Sequence, residues 1–232
     1  MSSDWQNPCG AAYAWRNLPD GTTEVQGLGL PVWRSSNAQD QAHWNNAVRT
    51  WQNWAPEFER AARLNDVPAS WLLAIATQET GLWSRSKEEQ RTIASQDGYS
   101  SIGIMQPIPA TAVAMGYTPQ DRLDPFKNID IGARLLAKNI GLYGRDLIKI
   151  GAAFNRGKFE CLPGREPYFN TRVHQGSNYP FNIIRTANTA IATGLVKPSR
   201  SLASSMGLGL LIAGAGALTA IAIMRSPKRL AA

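Results

Sequence analysis

The sequence predicts an all-α fold followed by a single C-terminal transmembrane helix, and three observations predict it. Apolar residues recur at intervals of three or four over most of residues 41–192, the spacing of a helix face. Convincing strand alternation is scarce, so helices separated by short polar turns are the expected architecture. Residues 206–224 form an uncharged run of 19 residues. The 232-residue chain then divides into an irregular N-terminal arm (1–40), a helical domain (41–192), a linker (193–205), the apolar run (206–224) and a basic tail (225–232).

The arm is rich in Gly, Pro, Ser and Asn, and short strands are expected near Val25 and Val32. All eight tryptophans fall within residues 5–83. Trp5, Trp15 and Trp33 of the arm either pack back on the domain or meet a ligand or partner; packing is favoured because large aromatics are costly to expose. Trp44, Val48, Trp51 and Ala55 give a helix over residues 39–54. Pro56 suits the first turn of a second helix reaching Asn65, since its missing donor costs nothing there. Phe58, Ala61, Ala62 and Leu64 form that helix's apolar stripe. Asp66-Val67-Pro68 is a turn, and residues 69–80 a helix with Trp71, Leu72, Ile75 and Ala76 inward, ended by Gly81.

Residues 82–101 read as a loop with one short helical turn. Gly103 to Gln106 leads into a helix near Pro109–Ala112, and Pro119 to Pro125 is a connector. Helices are predicted over Asn128–Leu142, Asp146–Phe154 and Phe181–Ile191, with a loop-rich stretch at 158–182.

The run Met206–Met224 would span roughly 28 Å at the helical rise, close to a bilayer core. Gly207, Gly209, Gly214 and Gly216 weaken it as a soluble helix but are tolerated in membranes; a buried core helix is the alternative. Arg225, Lys228 and Arg229 follow it, which places the C-terminus in the cytoplasm by the positive-inside tendency. The net charge of +7 has the same address: residues 1–166 carry 17 basic and 17 acidic side chains, and residues 167–232 carry seven basic and no acidic ones. A nucleic-acid-binding face would place its charge on the folded domain, so specific nucleic-acid binding is not expected. The expected partners are a lipid membrane and an anionic wall polymer. Met1 to Trp5 has neither a basic start nor an apolar core, so no signal peptide is expected there. His43 and His174 are isolated, so neither a metal nor a cofactor is expected. Cys9 and Cys161 could pair, but nothing requires it.

Three motifs carry chemistry. Glu79 lies at the end of a helix that is apolar on one side, in Leu73-Ala74-Ile75-Ala76-Thr77-Gln78-Glu79-Thr80-Gly81. A carboxyl there either faces solvent or sits partly desolvated at a groove floor, with its pKa raised. Gly103-Ile104-Met105-Gln106-Pro107-Ile108-Pro109-Ala110-Thr111-Ala112 follows. The third is Ala153-Phe154-Asn155-Arg156-Gly157, whose asparagine can donate and accept at once. Asn178-Tyr179 comes last.

Over roughly Ala55 to Ala192, these motifs resemble the soluble lytic transglycosylases, the goose-lysozyme-like enzymes that cleave the glycan of peptidoglycan. The resemblance implies a lysozyme-like fold and Glu79 as the catalytic acid. It implies a substrate groove shaped by Thr80, Gln106, Ile108, Phe154, Asn155 and Tyr179, with Tyr179 orienting the acid and Tyr168 competing for that role. Thr80 stands where the family has serine, Ile108 where it has methionine, and Phe154 where it has tyrosine. Arg156 replaces a small residue and could reach an anionic peptide or phosphate.

The implied reaction uses one glutamate and closes a 1,6-anhydro ring on the muramyl sugar. An extra stretch around Arg85 to Asp97 brings Glu88, Glu89 and Asp97. If Asp97 positioned a water, the enzyme would be a hydrolytic muramidase instead. A non-catalytic, glycan-binding structural virion protein is the other alternative. With an anchor and no signal peptide, the expected setting is a virion-associated membrane. The domain would act at the host periplasm, beside virion or membrane assembly proteins, to open the wall locally during phage genome entry. The inner membrane of a secretion or conjugation system is the alternative.

Overall fold

The computed structural model describes residues 14–26, 28–81, 85–94, 100–159 and 179–198. All of them lie within the compact unit Met1–Ser199. Among the described residues a small antiparallel hairpin, β1 (Trp15–Asn17) and β2 (Thr23–Val25), precedes seven α-helices: α1 (Ala38–Asn65), α2 (Ala69–Ala76), α3 (Lys87–Thr92), α4 (Pro109–Ala114), α5 (Pro125–Tyr143), α6 (Leu147–Arg156) and α7 (Tyr179–Ala192). The all-α character expected from the sequence is therefore present. The strand near Val25 forms; Val32 lies outside regular structure.

The centre of the domain is α2. Every residue from Ser70 to Ala76 is buried, and a helix apolar all round can only sit inside a core. It packs against α7 and α1, while α6 packs on α7 and α5, and α5 on α1. Trp71, Leu72, Leu73 and Ile75 are all fully buried, each side chain contributing about 2 kcal/mol.

Two helices expected on either side of Pro56 are one. The 28-residue α1 runs straight through that proline. Interior proline forfeits a backbone hydrogen bond, at about 3 kcal/mol. Trp54 and Phe58 lie on either side of it and are both buried, and their packing offsets the loss. Asn37 caps the start of α1 by accepting from the Gln39 and Asp40 amides, and Asp66 ends it in the left-handed conformation at φ +51°.

The described part of the arm joins the core. Trp15 and Trp33 are buried, and their ring nitrogens find specific acceptors. Trp15 Nε1 donates to Asp146 Oδ1 at 3.0 Å and Trp33 Nε1 to Thr186 Oγ1 at 3.0 Å. Asn188 of α7 accepts from the Thr23 amide and donates to the carbonyls of Thr23 and Pro31. Arg185 stacks over the Trp33 ring at 3.9 Å and pairs with Asp40. Trp5, Cys9, Cys161 and His174 lie outside the described residues.

The C-terminal anchor is corrected. No helix among the described residues is long and apolar enough to cross a membrane. The longest, α1 and α5, carry charged residues along one face and bury the other, as helices flanking a water-exposed core do. The run 206–224 itself lies outside the described residues. The transmembrane element of the fold class, the anchored recognition and the single-pass membrane localisation fall together.

Candidate active site

The chain does not stay α-helical to Gly81. After Ala76 it widens into a single π turn, Thr77–Gly81, and Glu79 rides on that turn. Such turns are rare and recur at functional positions. Here the turn is held by Thr80, whose hydroxyl donates to the Ala76 carbonyl at 3.0 Å and reaches the Ile104 carbonyl at 3.4 Å. Thr80 is buried; it joins the acid's turn to the loop 100–108 and does not line the groove.

That loop holds three residues at positive φ, Ser100 at +56°, Gly103 at +81° and Gln106 at +48°. Only glycine fits at 103. A Cβ there would meet Asn128 Nδ2 at 2.5 Å, far inside van der Waals contact. Asn128 is the loop's template: its Oδ1 accepts from the Met105 amide at 2.8 Å, and its Nδ2 donates to the carbonyls of Ile102 and Arg122, both at 2.9 Å. Gly132, one turn along α5, lies under Met105, where a Cβ would come within 2.7 Å of the Met105 methyl.

Gln106 is committed to the protein. Its Nε2 donates to the Ile93 and Gly103 carbonyls at 3.0 and 2.7 Å, and its Oε1 accepts from the Ser101 hydroxyl at 2.9 Å. Those carbonyls fix the orientation of the amide and consume both its protons. What Gln106 can still offer a ligand is one acceptor lone pair.

Glu79 is partly buried, and Tyr179, the first residue of α7, donates a short hydrogen bond from its hydroxyl to Glu79 Oε1. Burial raises the Glu79 pKa from 4.5 to about 7, against the lowering effect of that hydrogen bond. Burial and the adjacent carboxyl push the Tyr179 phenol well above its ordinary range, so it remains a donor. Since Oε1 accepts from Tyr179, the carboxyl proton resides on Oε2. Near pH 7 a large share of Glu79 is therefore a neutral acid with its proton on the free oxygen.

A groove of about 710 Å³ opens over this acid. Glu79, Gln106, Ile108, Phe154 and Asn155 all line it. Tyr179 stands behind Glu79, buried. The sequence reading did not include Met105, Thr111, Met115, Leu135 and Lys138, which also line it. Ile131, Leu135 and Lys138 follow helical spacing on α5, and that signal was available. Ile131 and Leu135 read equally well as core until the loop 100–108 is folded above them.

The wall carrying Phe154 and Asn155 is the last turn of α6. Asp146 starts that helix by accepting from the Ile148 and Lys149 amides, and Gly157 ends it at φ +81°. Trp15 shares the Asp146 oxygen, so the arm helps seat this wall. The Arg156 side chain, Tyr168, Asn178 and Asp97 lie outside the described residues. Glu88 and Glu89 are on α3, away from the groove. Glu88 pairs with Arg91 at 2.5 Å, and Glu89 closes a capping box with Ser86. Hydrogen bonds with those partners lower both pKa values. Glu79 is the sole carboxylate among the described groove residues.

Residues 56–163 match the family model described as the transglycosylase SLT domain. That span takes in Glu79, the loop 100–108 and the α4, α5 and α6 walls, so this stretch of the chain is similar to a lytic transglycosylase domain. The peptidoglycan transglycosylase gp16 of Escherichia phage T7 is 30% identical over 145 residues, covering 58% of this chain and 10% of that protein. The chain thus spans a tenth of that relative's length. An inactive variant of lytic transglycosylase Slt from Pseudomonas aeruginosa aligns over 62% of this chain and 25% of its own, at 21% identity and a TM-score of 0.47. The 70-kDa soluble lytic transglycosylase of Escherichia coli aligns over 71% and 32%, at 22% identity and a TM-score of 0.48.

Proposed function

We propose that this chain cleaves the β-1,4 bond between N-acetylmuramic acid and N-acetylglucosamine in peptidoglycan, leaving a 1,6-anhydromuramic end. The observation that carries the reading is the partly buried Glu79, its pKa raised to about 7, in a groove whose described lining holds no second carboxylate. A two-carboxylate hydrolase needs a base or nucleophile across the sugar. Glu88 and Glu89 are solvent-exposed and engaged elsewhere, which favours the single-acid route.

In that route Glu79 Oε2 gives its proton to the bridging oxygen as the bond from C1 breaks. The sugar's own acetamido oxygen shields the cation at C1. The carboxylate, still held at Oε1 by Tyr179, then takes the proton of the muramyl C6 hydroxyl, and O6 closes on C1. The proton lost in the first half is recovered in the second, so no water is consumed. Asn155, exposed at the groove edge, offers donor and acceptor together to an N-acetyl group, and Phe154 with Ile108 supplies apolar walls for the sugar faces.

The phage enzyme among the relatives supports a phage setting, in which a particle carries this activity to the wall and opens it locally as the genome enters. Mass spectrometry of products released from purified peptidoglycan tests the chemistry. Ends one water lighter than a reducing sugar are expected, and none from Glu79→Gln. Reducing ends would replace the reading with a hydrolytic one.

A further inference from the structure

The described lining of the groove combines unlike groups. Ser101, Gln106 and Asn155 are polar. Ala114 at the end of α4, Met115 just after it and Leu135 of α5 are apolar, and α5 adds Lys138. Lys138 is exposed, and it is the one cationic side chain in the described lining. Among the described residues no carboxylate pairs with it. Glu79, raised to about 7, is only partly ionised at neutral pH, so the full charge in the described lining is the positive one on Lys138. Gly132 touches Met105 beside Gln106. Lys138 is six residues farther along the same helix, about 9 Å at the helical rise.

We infer that Lys138 is a specificity residue: it receives a carboxylate of the peptide stem carried by the muramyl sugar, while Leu135, Met115 and Ala114 pack the stem's methyl groups. This rests on the peptidoglycan reading above and deepens it. The chemistry of the two partners corresponds. A stem peptide is an amphipathic anion that branches from the lactyl group, away from the line of the glycan. An apolar shelf ending in one ammonium group suits such a branch and offers nothing to a neutral sugar hydroxyl that a polar residue would not offer better. A lysine presents a compact point charge on a flexible stem, so it tolerates some variation in where the carboxylate lies.

The test uses the full chain, with intact glycan strands and strands stripped of stems by an amidase. The expected result is a lower KM for stem-bearing strands, with the ratio of the two KM values collapsing about fivefold in Lys138→Met, the scale of a partly exposed ion pair. Lys138→Arg should restore most of that ratio, and added salt should erode it in the native chain. Equal KM ratios in the native chain and Lys138→Met would overturn the assignment, as would a preference that survives high salt unchanged. If the native chain turns over neither substrate, binding of both strand types by Glu79→Gln decides. Tighter binding of stem-bearing strands that depends on Lys138 keeps the inference while the cleavage reading fails. Binding without that dependence sinks the inference.

Discussion

Glu79 and Glu89 are ten positions apart and carry the same side chain, yet their surroundings drive them in opposite directions. Glu89 sits in the first turn of α3, solvent-exposed, and holds the Ser86 amide in a capping box. Hydrogen bonds to its ionised form lower its pKa. Glu79 sits on a π turn against a buried tyrosine, and burial raises it to about 7. A hydrogen bond is present in both cases; the extent of desolvation decides the sign. One carboxylate stabilises a helix end and the other is poised for proton transfer at neutral pH.

The sharpest way to break this contrast is to remove each carboxyl in turn. Glu79→Gln keeps the shape and removes the proton, and glycan cleavage should fall by at least about a thousandfold, within the range for a positioned general acid. A folded Glu79→Gln chain that retains cleavage, measured by released muropeptides, would end the assignment. The same variant carries a stability signature. The native acid titrates at about pH 7 in the fold and near 4.5 when unfolded. The folded state thus binds more protons between those values, and native stability falls as pH rises through that window. The glutamine variant lacks this loss, so it should gain on the order of 2 kcal/mol over the native chain between pH 4 and pH 8 in denaturant melts.

Next in size is the scaffold of the acid's wall. Gly103→Ala should cost about 3 kcal/mol, because it combines a left-handed backbone with a Cβ driven into Asn128. A denaturant midpoint like that of the native chain would show that the loop 100–108 is not templated by Asn128 as described.

How much of this was legible in the sequence depends on the range of the forces involved. The α4, α5 and α6 segments carry their own stop and start signals, Pro109, Asp124 and Asp146, and the sequence places these helices within a few residues. Glu79, Gln106, Ile108, Phe154 and Asn155 could be picked out by motif, and the structure gathers all five around one groove. What local reasoning missed is tertiary. The π turn is tied by Thr80 to the carbonyls of Ala76 and, across the fold, Ile104. The helix continues through Pro56 because Trp54 and Phe58 are both buried. Thr80 looked like a groove residue, yet it is an internal tie. Lys138 had no motif to mark it; its place in the groove follows only when Met105 folds over Gly132. The apolar composition of 206–224 suggested a membrane helix, whereas the longest helices of the described domain are amphipathic.

Smaller effects sharpen the comparison. Tyr179→Phe removes the hydrogen bond that opposes burial, so the Glu79 pKa should move further up. Cleavage should fall by roughly tenfold as the carboxyl loses its orientation, while the alkaline limb of the pH–rate profile shifts to higher pH. A limb that moves down, or stays fixed, would show that Tyr179 does not act on the acid. Glu89→Gln should change cleavage by less than about twofold and stability by only a few tenths of a kcal/mol, since glutamine can still close a capping box. A large loss of cleavage would bring α3 back into the chemistry.

The central claim is that the fold raises the Glu79 carboxyl so that it titrates near neutrality. Carbon-13 NMR titration of the glutamate carboxyls in the full chain tests it, with the Glu79 signal assigned by its absence in Glu79→Gln. A midpoint near pH 7 is the result expected from burial against Tyr179. A midpoint at the ordinary glutamate value would contradict the account.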